Sequence, residues 1–157
     1  MKDLTLNVGC GEQGIGDVNC DLYGEEAHHG GLIIDPHVVR NFVMCDAQYL
    51  PFRANIFRTV FSSHVIEHVH DPFLMLKEMV RCSKKYIKVI CPHRWFTLFQ
   101  LNRGHHVSFL NKKWFISAAS KLHCFIVQIK YSEMSILFSL PIELTVYLIK
   151  QDWKDDL

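Results

Sequence analysis

Gly9, Cys10, Gly11, Glu12, Gln13 and Gly14 spell GxGxxG directly after an apolar run at residues 4–8. Glycines at the end of a first strand let backbone amides approach a ligand closely. A simple tight turn would use the same residues, so the pattern takes its meaning from the residues downstream of it. In a dinucleotide enzyme the glycines would cradle a pyrophosphate, with an acidic residue about 20 positions further on. Here Asp21 comes after Gly14 too soon for a crossover helix, which takes roughly a dozen residues or more. The nicotinamide oxidoreductase reading loses ground on that spacing.

Histidines and carboxylates gather in a second place. Ser62, Ser63, His64, Glu67, His68, His70 and Asp71 crowd one short segment. His64 and His68 are spaced to share a helix face, as zinc ligands would need to. HExxH is absent and spacing places no third ligand, so no metal is expected. His64 reads instead as a base lining a cleft, because a neutral imidazole can take a proton near physiological pH. His68 reads as a structural histidine, and the pairs His28-His29 and His105-His106 as loop residues. Lys77, Arg81, Lys84, Lys85, Lys88 and Arg94 could form a phosphate-binding patch, but a solvated helix end and turn is the favoured reading.

The elements that must position these groups can be read in order. Residues 4–8 and 17–22 read as strands, then 32–34 and 41–45 as short extended pieces. Residues 57–62 form a clear strand, β-branched and aromatic at the centre. Asp71 stands where an N-cap belongs, with Pro72 at the first helical position. Phe73, Leu76, Met79 and Val80 share one face of that helix. Residues 86–91 are another strand, closed by Pro92. Asn111 opens a second helix whose Trp114, Phe115, Ala118, Ala119 and Leu122 share a face. Residues 123–129 and 143–149 are expected as two closing strands joined by a loop around Pro141. Alternating strands and helices imply an α/β, mostly parallel sheet with a ligand crevice at the strand ends.

The 157 residues suit one domain, 1–157, with a core that needs no staples. A net charge of +1 exerts no global pull on nucleic acid or anionic lipid, so neither is indicated as a partner. The six cysteines form no CxxC pair, no signal peptide precedes them, and most sit in apolar runs. Reduced, buried thiols and a cytoplasmic location are expected. The apolar stretch 134–149 is shorter than the roughly 18–20 residues of a membrane span, and it contains Pro141 and Glu143.

Leu6-Asn7-Val8-Gly9-Cys10-Gly11, Val18-Asn19-Cys20-Asp21, Asp46-Ala47 with Leu50-Pro51-Phe52, and the run from Ser63 to Pro72 resemble the class I S-adenosylmethionine-dependent methyltransferases. The likeness is to the broad group with an LxxGCG start, a DAxxLPF segment and an SxHVxEHVxDP segment. His105-His106-Val107-Ser108-Phe109 is similar to sequence at the same place in that group. The resemblance spans most of residues 4–122 and implies a Rossmann-like sheet with flanking helices and an antiparallel C-terminal strand. It implies that Gly9, Cys10 and Gly11 hold the methionine part of S-adenosylmethionine, and that Asp21, with Leu22 beside it, binds the ribose. Asp46 would accept from the adenine amino group, with the Ala47 N–H on the ring. Ser62 would line the methionine end, while Ser63 and His64 face the transfer cleft.

Departures from the group shape the expectation. The first crossover helix should be reduced or missing. Asp35 is a competing ribose carboxylate. No helices precede the first strand to form a lid, leaving the open cofactor site to a second copy or a partner subunit. The segment Ser62-Ser63-His64 stands where nucleobase amino-methyltransferases carry Asn/Asp-Pro-Pro-Tyr/Phe, which weakens that acceptor class. The expected function is methyl transfer to an unidentified acceptor, releasing S-adenosylhomocysteine. The alternative is a non-catalytic, S-adenosylmethionine-binding regulatory subunit.

Overall fold

The structure is a computed structural model, describing residues 3–22, 37–93, 110–135 and 139–151. Its strands are β1 (Thr5–Val8), β2 (Val18–Asp21), β3 (Phe42–Met44), β4 (Phe57–Ser63), β5 (Ser83–Pro92), β6 (Cys124–Ser135) and β7 (Ser139–Lys150). Two helices, α1 (Pro72–Cys82) and α2 (Lys112–Lys121), accompany them. The strands make one seven-stranded sheet in the order β3-β2-β1-β4-β5-β7-β6. Strands β1 to β5 pair in parallel, while β7 runs antiparallel to β5 and to β6. The expected α/β architecture is therefore present. The order reverses between β1 and β4, and the C-terminal ends of the strands at such a switch point are where open α/β sheets bind ligands.

Helix α1 begins as its residue types dictate. The Asp71 carboxylate accepts from the Phe73 and Leu74 amides at 3.0 Å each, with Pro72 in the first turn. Met75, Leu76, Met79, Val80 and Cys82 are buried on the sheet, and Phe73 packs at the margin of the core. Helix α2 repeats the device with Asn111, which accepts from the Trp114 amide at 3.0 Å. It buries Phe115, Ala118 and Ala119. Both helices pack on the sheet face that carries Val60, Ile87, Val89, Leu144, Val146 and Leu148.

No helix occurs between β1 and β2, as the short spacing requires. The sheet instead buries two asparagines, adjacent in register, under the loop at 9–17. Asn7 Nδ2 donates to the Gln13 carbonyl at 2.7 Å. Asn19 accepts from the Gly16 amide at 2.9 Å and donates to the carbonyls of Gly16 and Arg40 at 3.1 and 2.7 Å. Side chains thus satisfy backbone groups that a helix would have satisfied internally.

Two expectations change. Pro141 lies within β7, paired with Glu133, and not in a loop; β6 and β7 form a long hairpin. Pairing of β7 with β5 stops at Glu143, so at Pro141 the strand has passed the end of β5 and a missing N–H is tolerated. The fifth strand begins at Ser83, immediately after α1, rather than at Tyr86. Helix α1 starts at Pro72 as expected, and residues 64–70 before it form bends and turns, so His64 and His68 share no helical face. The extended piece expected at 32–34, Asp35, His28-His29, Arg94 and His105-His106 lie outside the described residues.

Candidate functional site

The glycine turn is built by steric need. Gly9 has φ +69°, and a Cβ there would overlap the Val65 Cγ2 methyl, so the turn packs on the loop after β4. The amides of Gly9 and Cys10 both donate to the Cys20 carbonyl, at 2.8 and 3.0 Å. Gly11 has φ +51°, and a Cβ there would meet nothing within 4 Å. Its backbone therefore borders open space at the strand ends, where a ligand can approach. The Gly11 amide donates to Asp21 Oδ2 at 2.9 Å, tying the turn to the carboxylate that ends β2. Leu22, half exposed, comes directly after Asp21 at the same edge.

Asp46 belongs to the neighbouring segment. The Cys45 amide donates to the Asp21 carbonyl at 2.8 Å, which joins the two carboxylate-bearing stretches. Asp46 Oδ1 accepts from the Gln48 amide at 2.8 Å, and the Gln48 side-chain amide lies 3.2 Å from both Asp46 oxygens. Gln48 Oε1 in turn accepts from the Asp71 amide at 2.8 Å. Gln48 thus couples Asp46 to the start of α1. Ala47 is buried beside it.

Arg81 holds this segment in place. It pairs with Glu78 through two bonds of 2.7 Å and donates to the carbonyls of Phe52 and Leu50 at 2.7 and 2.9 Å. Glu78 Oε2 also accepts from the Leu50 amide at 3.0 Å. Arg81 is therefore a structural clamp and belongs to no phosphate patch. Lys88, from the same basic set, lies over the Phe61 and Tyr147 rings on the sheet face away from the helices.

At the end of β4, Ser62 is fully buried and its Oγ has no hydrogen-bond partner, while Ser63 is half-buried. His64 comes next with φ +55°, its amide donating to the Ile90 carbonyl at 2.9 Å. Its ring lies between two carboxylates. Nε2 is 2.8 Å from Glu143 Oε1, and Nδ1 is 3.6 Å from Glu67 Oε1. Glu67 is 2% exposed, and neither of its oxygens has a hydrogen-bond partner; His68 Nε2 is 3.7 Å from Oε1. Glu67 and then Glu143 hold the His64 imidazole above its ordinary value, against the opposing pull of burial. Cys91, deep in the sheet beside them, has its thiol pushed up chiefly by burial.

Sequence reasoning gave Glu67 no role and missed Glu143 as a partner of His64. Glu67 sits in a segment whose histidines carry the stronger signal. Glu143 is far away along the chain, in a stretch that reads as plain strand.

The residues singled out for a cofactor thus converge on the strand ends beside the switch point, from β1 to β4. The chain matches a methyltransferase-domain family over residues 6–91, from the middle of β1 to the end of β5. It belongs to that family. Its cofactor is S-adenosylmethionine. No curated protein matches the sequence.

Solved structures agree on the fold. A methyltransferase from Thermotoga maritima dependent on S-adenosylmethionine has a TM-score of 0.70 at 16% identity, covering 96% of this chain and 83% of its own. Magnesium protoporphyrin IX methyltransferase from Synechocystis, solved with S-adenosylhomocysteine bound, gives 0.65 at 11%, covering 94% and 74%. A Haloferax volcanii methyltransferase solved in complex with a methyltransferase activator gives 0.67 at 12%, covering 94% and 81%. Among the described residues no helix is long and apolar enough to cross a membrane. All six cysteines are free thiols, and five are buried.

Proposed function

We propose that this chain, as one domain over residues 1–157, is an active methyltransferase. The observation that carries this reading is the bond from the Gly11 amide to Asp21, set at the switch point within a chain of the family. When bound, S-adenosylmethionine supplies a methyl group on a positively charged sulfur. The chain's own residues do the rest. The turn of Gly9, Cys10 and Gly11 would take the methionine part, supported by the orphaned Ser62 hydroxyl below and Ser63 beside it. Asp21 would take the ribose hydroxyls, with Leu22 covering the sugar, and Asp46 with the Ala47 amide would take the adenine. The open space at the Gly11 Cβ position and the unpartnered Ser62 oxygen fit such an occupant.

Methyl transfer from sulfonium is an in-line displacement, so holding donor and acceptor at near-attack distance does most of the work. Where the acceptor must first lose a proton, His64 is the base. The regulatory-subunit alternative draws on the missing first crossover helix, which leaves one flank of the site for a second copy or a partner subunit to cover. The activator bound to the Haloferax relative makes that arrangement concrete for a similar fold. Free thiols suit a cytoplasmic setting.

Calorimetry with S-adenosylhomocysteine tests the assignment. Asp21→Ala should weaken binding by about ten- to a hundredfold, a loss of roughly 1.5–3 kcal/mol for a charge-assisted contact. Damage from Asp35→Ala with a silent Asp21→Ala would overturn the ribose assignment. Turnover with a broad acceptor panel separates the enzyme from the regulatory subunit.

A further inference from the structure

We propose that Glu143 and His64, backed by Glu67, form the acceptor subsite, and that it takes a protonated amine. The inference rests on the methyltransferase reading and adds the acceptor's class to it.

The charge balance points to a cation. Among the described residues no lysine or arginine pairs with Glu67 or Glu143; the side chains that meet them are His64, His68 and Ser132. Ser132 Oγ donates to Glu143 Oε2 at 3.1 Å, leaving Oε1 for the imidazole. Two carboxylates thus share one site, faced among the described residues by the imidazoles of His64 and His68 and by no permanently charged cation. A carboxylate buried as deeply as Glu67 without a hydrogen bond is costly unless a positive charge offsets it. An anionic acceptor would be repelled. A hydroxyl would bring no charge to offset the carboxylates. An ammonium brings one, together with N–H donors for Glu143.

The same geometry provides for the chemistry. An ammonium has no lone pair to methylate until it loses a proton. In the resting structure His64 Nε2 lies 2.8 Å from Glu143 Oε1 and donates its own proton there. Once an ammonium takes that oxygen and the ring has lost that proton, the freed Nε2 is the neighbouring group that accepts the proton from the ammonium. The freed lone pair then forms the new nitrogen–carbon bond, and the carbon–sulfur bonding pair stays on sulfur. The products are the methylated amine and S-adenosylhomocysteine, with the proton on His64. Glu67 touches only the far side of the ring, so it is a positioning residue.

The groups facing this site are Glu67 and His68 from the loop after β4, Cys91 from β5, and Glu143 and Ser132 from the hairpin. Because His64 titrates above its ordinary value, its base form grows in on the alkaline side of the usual imidazole range. An ammonium beside it should bring the midpoint back down.

Imidazole NMR of the full chain, with S-adenosylhomocysteine binding checked by calorimetry, tests this. Butylamine and phenethylamine are compared with butanol and phenethyl alcohol. The amines should lower the His64 midpoint by about half a pH unit or more, and the alcohols should not. Glu143→Gln should weaken amine binding about tenfold or more. Glu67→Gln should lower the midpoint of the amine-free protein yet leave amine binding measurable. Should a variant fail to fold, the amine–alcohol comparison in the unmodified chain decides alone. Alcohols that bind as well as amines, or amines that leave His64 unmoved while S-adenosylhomocysteine binds, would overturn this inference alone. Failure of S-adenosylhomocysteine to bind would overturn the methyltransferase reading and this inference with it.

Discussion

Two crossovers in this sheet do the same topological job by different physics. From β4 to β5 the chain makes helix α1, which buries Met75, Leu76, Met79, Val80 and Cys82 and leaves the sheet face dry. From β1 to β2 it makes no helix. There Asn7 and Asn19, 2% and 0% exposed, accept and donate hydrogen bonds to a loop that lies where a helix would pack. The first solution draws on apolar area removed from water, which is non-directional and tolerates small shifts. The second draws on directional bonds, so it holds the backbone at particular positions. That suits its place, since the loop begins with the glycine turn and ends on the strand that carries Asp21.

If that contrast is right, substitutions in the two crossovers should fail differently. Met79→Ala should have the largest effect, lowering stability by about 2–5 kcal/mol in urea denaturation through lost burial and a residual cavity. The affinity of the folded protein for S-adenosylhomocysteine should hardly change. Asn19→Ala should cost less stability, about 1–3 kcal/mol, because it strips partners from the Gly16 amide and the Arg40 carbonyl. Affinity should fall with it, since the loop sets the geometry of Gly11 and Asp21. Equal loss of affinity in both variants would dissolve the comparison.

The smallest effect is a pH dependence on the helical side. Arg81 first, with the Leu50 amide adding to it, holds the Glu78 carboxyl below its ordinary value. A carboxyl depressed in the folded state adds stability above its unfolded value, and that stability is lost as pH falls through the folded one. Glu78→Gln should therefore flatten the acid limb of a thermal-stability profile while leaving the limb above pH 7 unchanged in slope. An unaltered acid limb would show that Arg81 holds the 46–56 segment through its carbonyl bonds alone.

Much of this was legible along the chain. Asp71 with Pro72, and Asn111, announce helices because an N-cap is satisfied by residues two or three positions on. The span from Gly14 to Asp21 ruled out a crossover helix on length alone. Other features were misread or missed. Arg81 read as a free surface cation, yet it bonds carbonyls around 30 residues earlier in the chain. Pro141 read as a loop, because nothing local reveals that β7 has passed the end of β5.

The difference comes from range. Helix starts, strand runs, the glycine turn and the order of the motifs rest on contacts within a few residues, so the sequence by itself determined them. The site's electrostatics do not. Glu143 reaches His64 across 79 positions only because β7 pairs with β5 and β5 with β4. Glu67 becomes a buried carboxylate only once the loop after β4 has folded onto the glycine turn. A charge's solvation and its neighbours are properties of the assembled surface, and only the tertiary structure decided that two carboxylates would flank one imidazole.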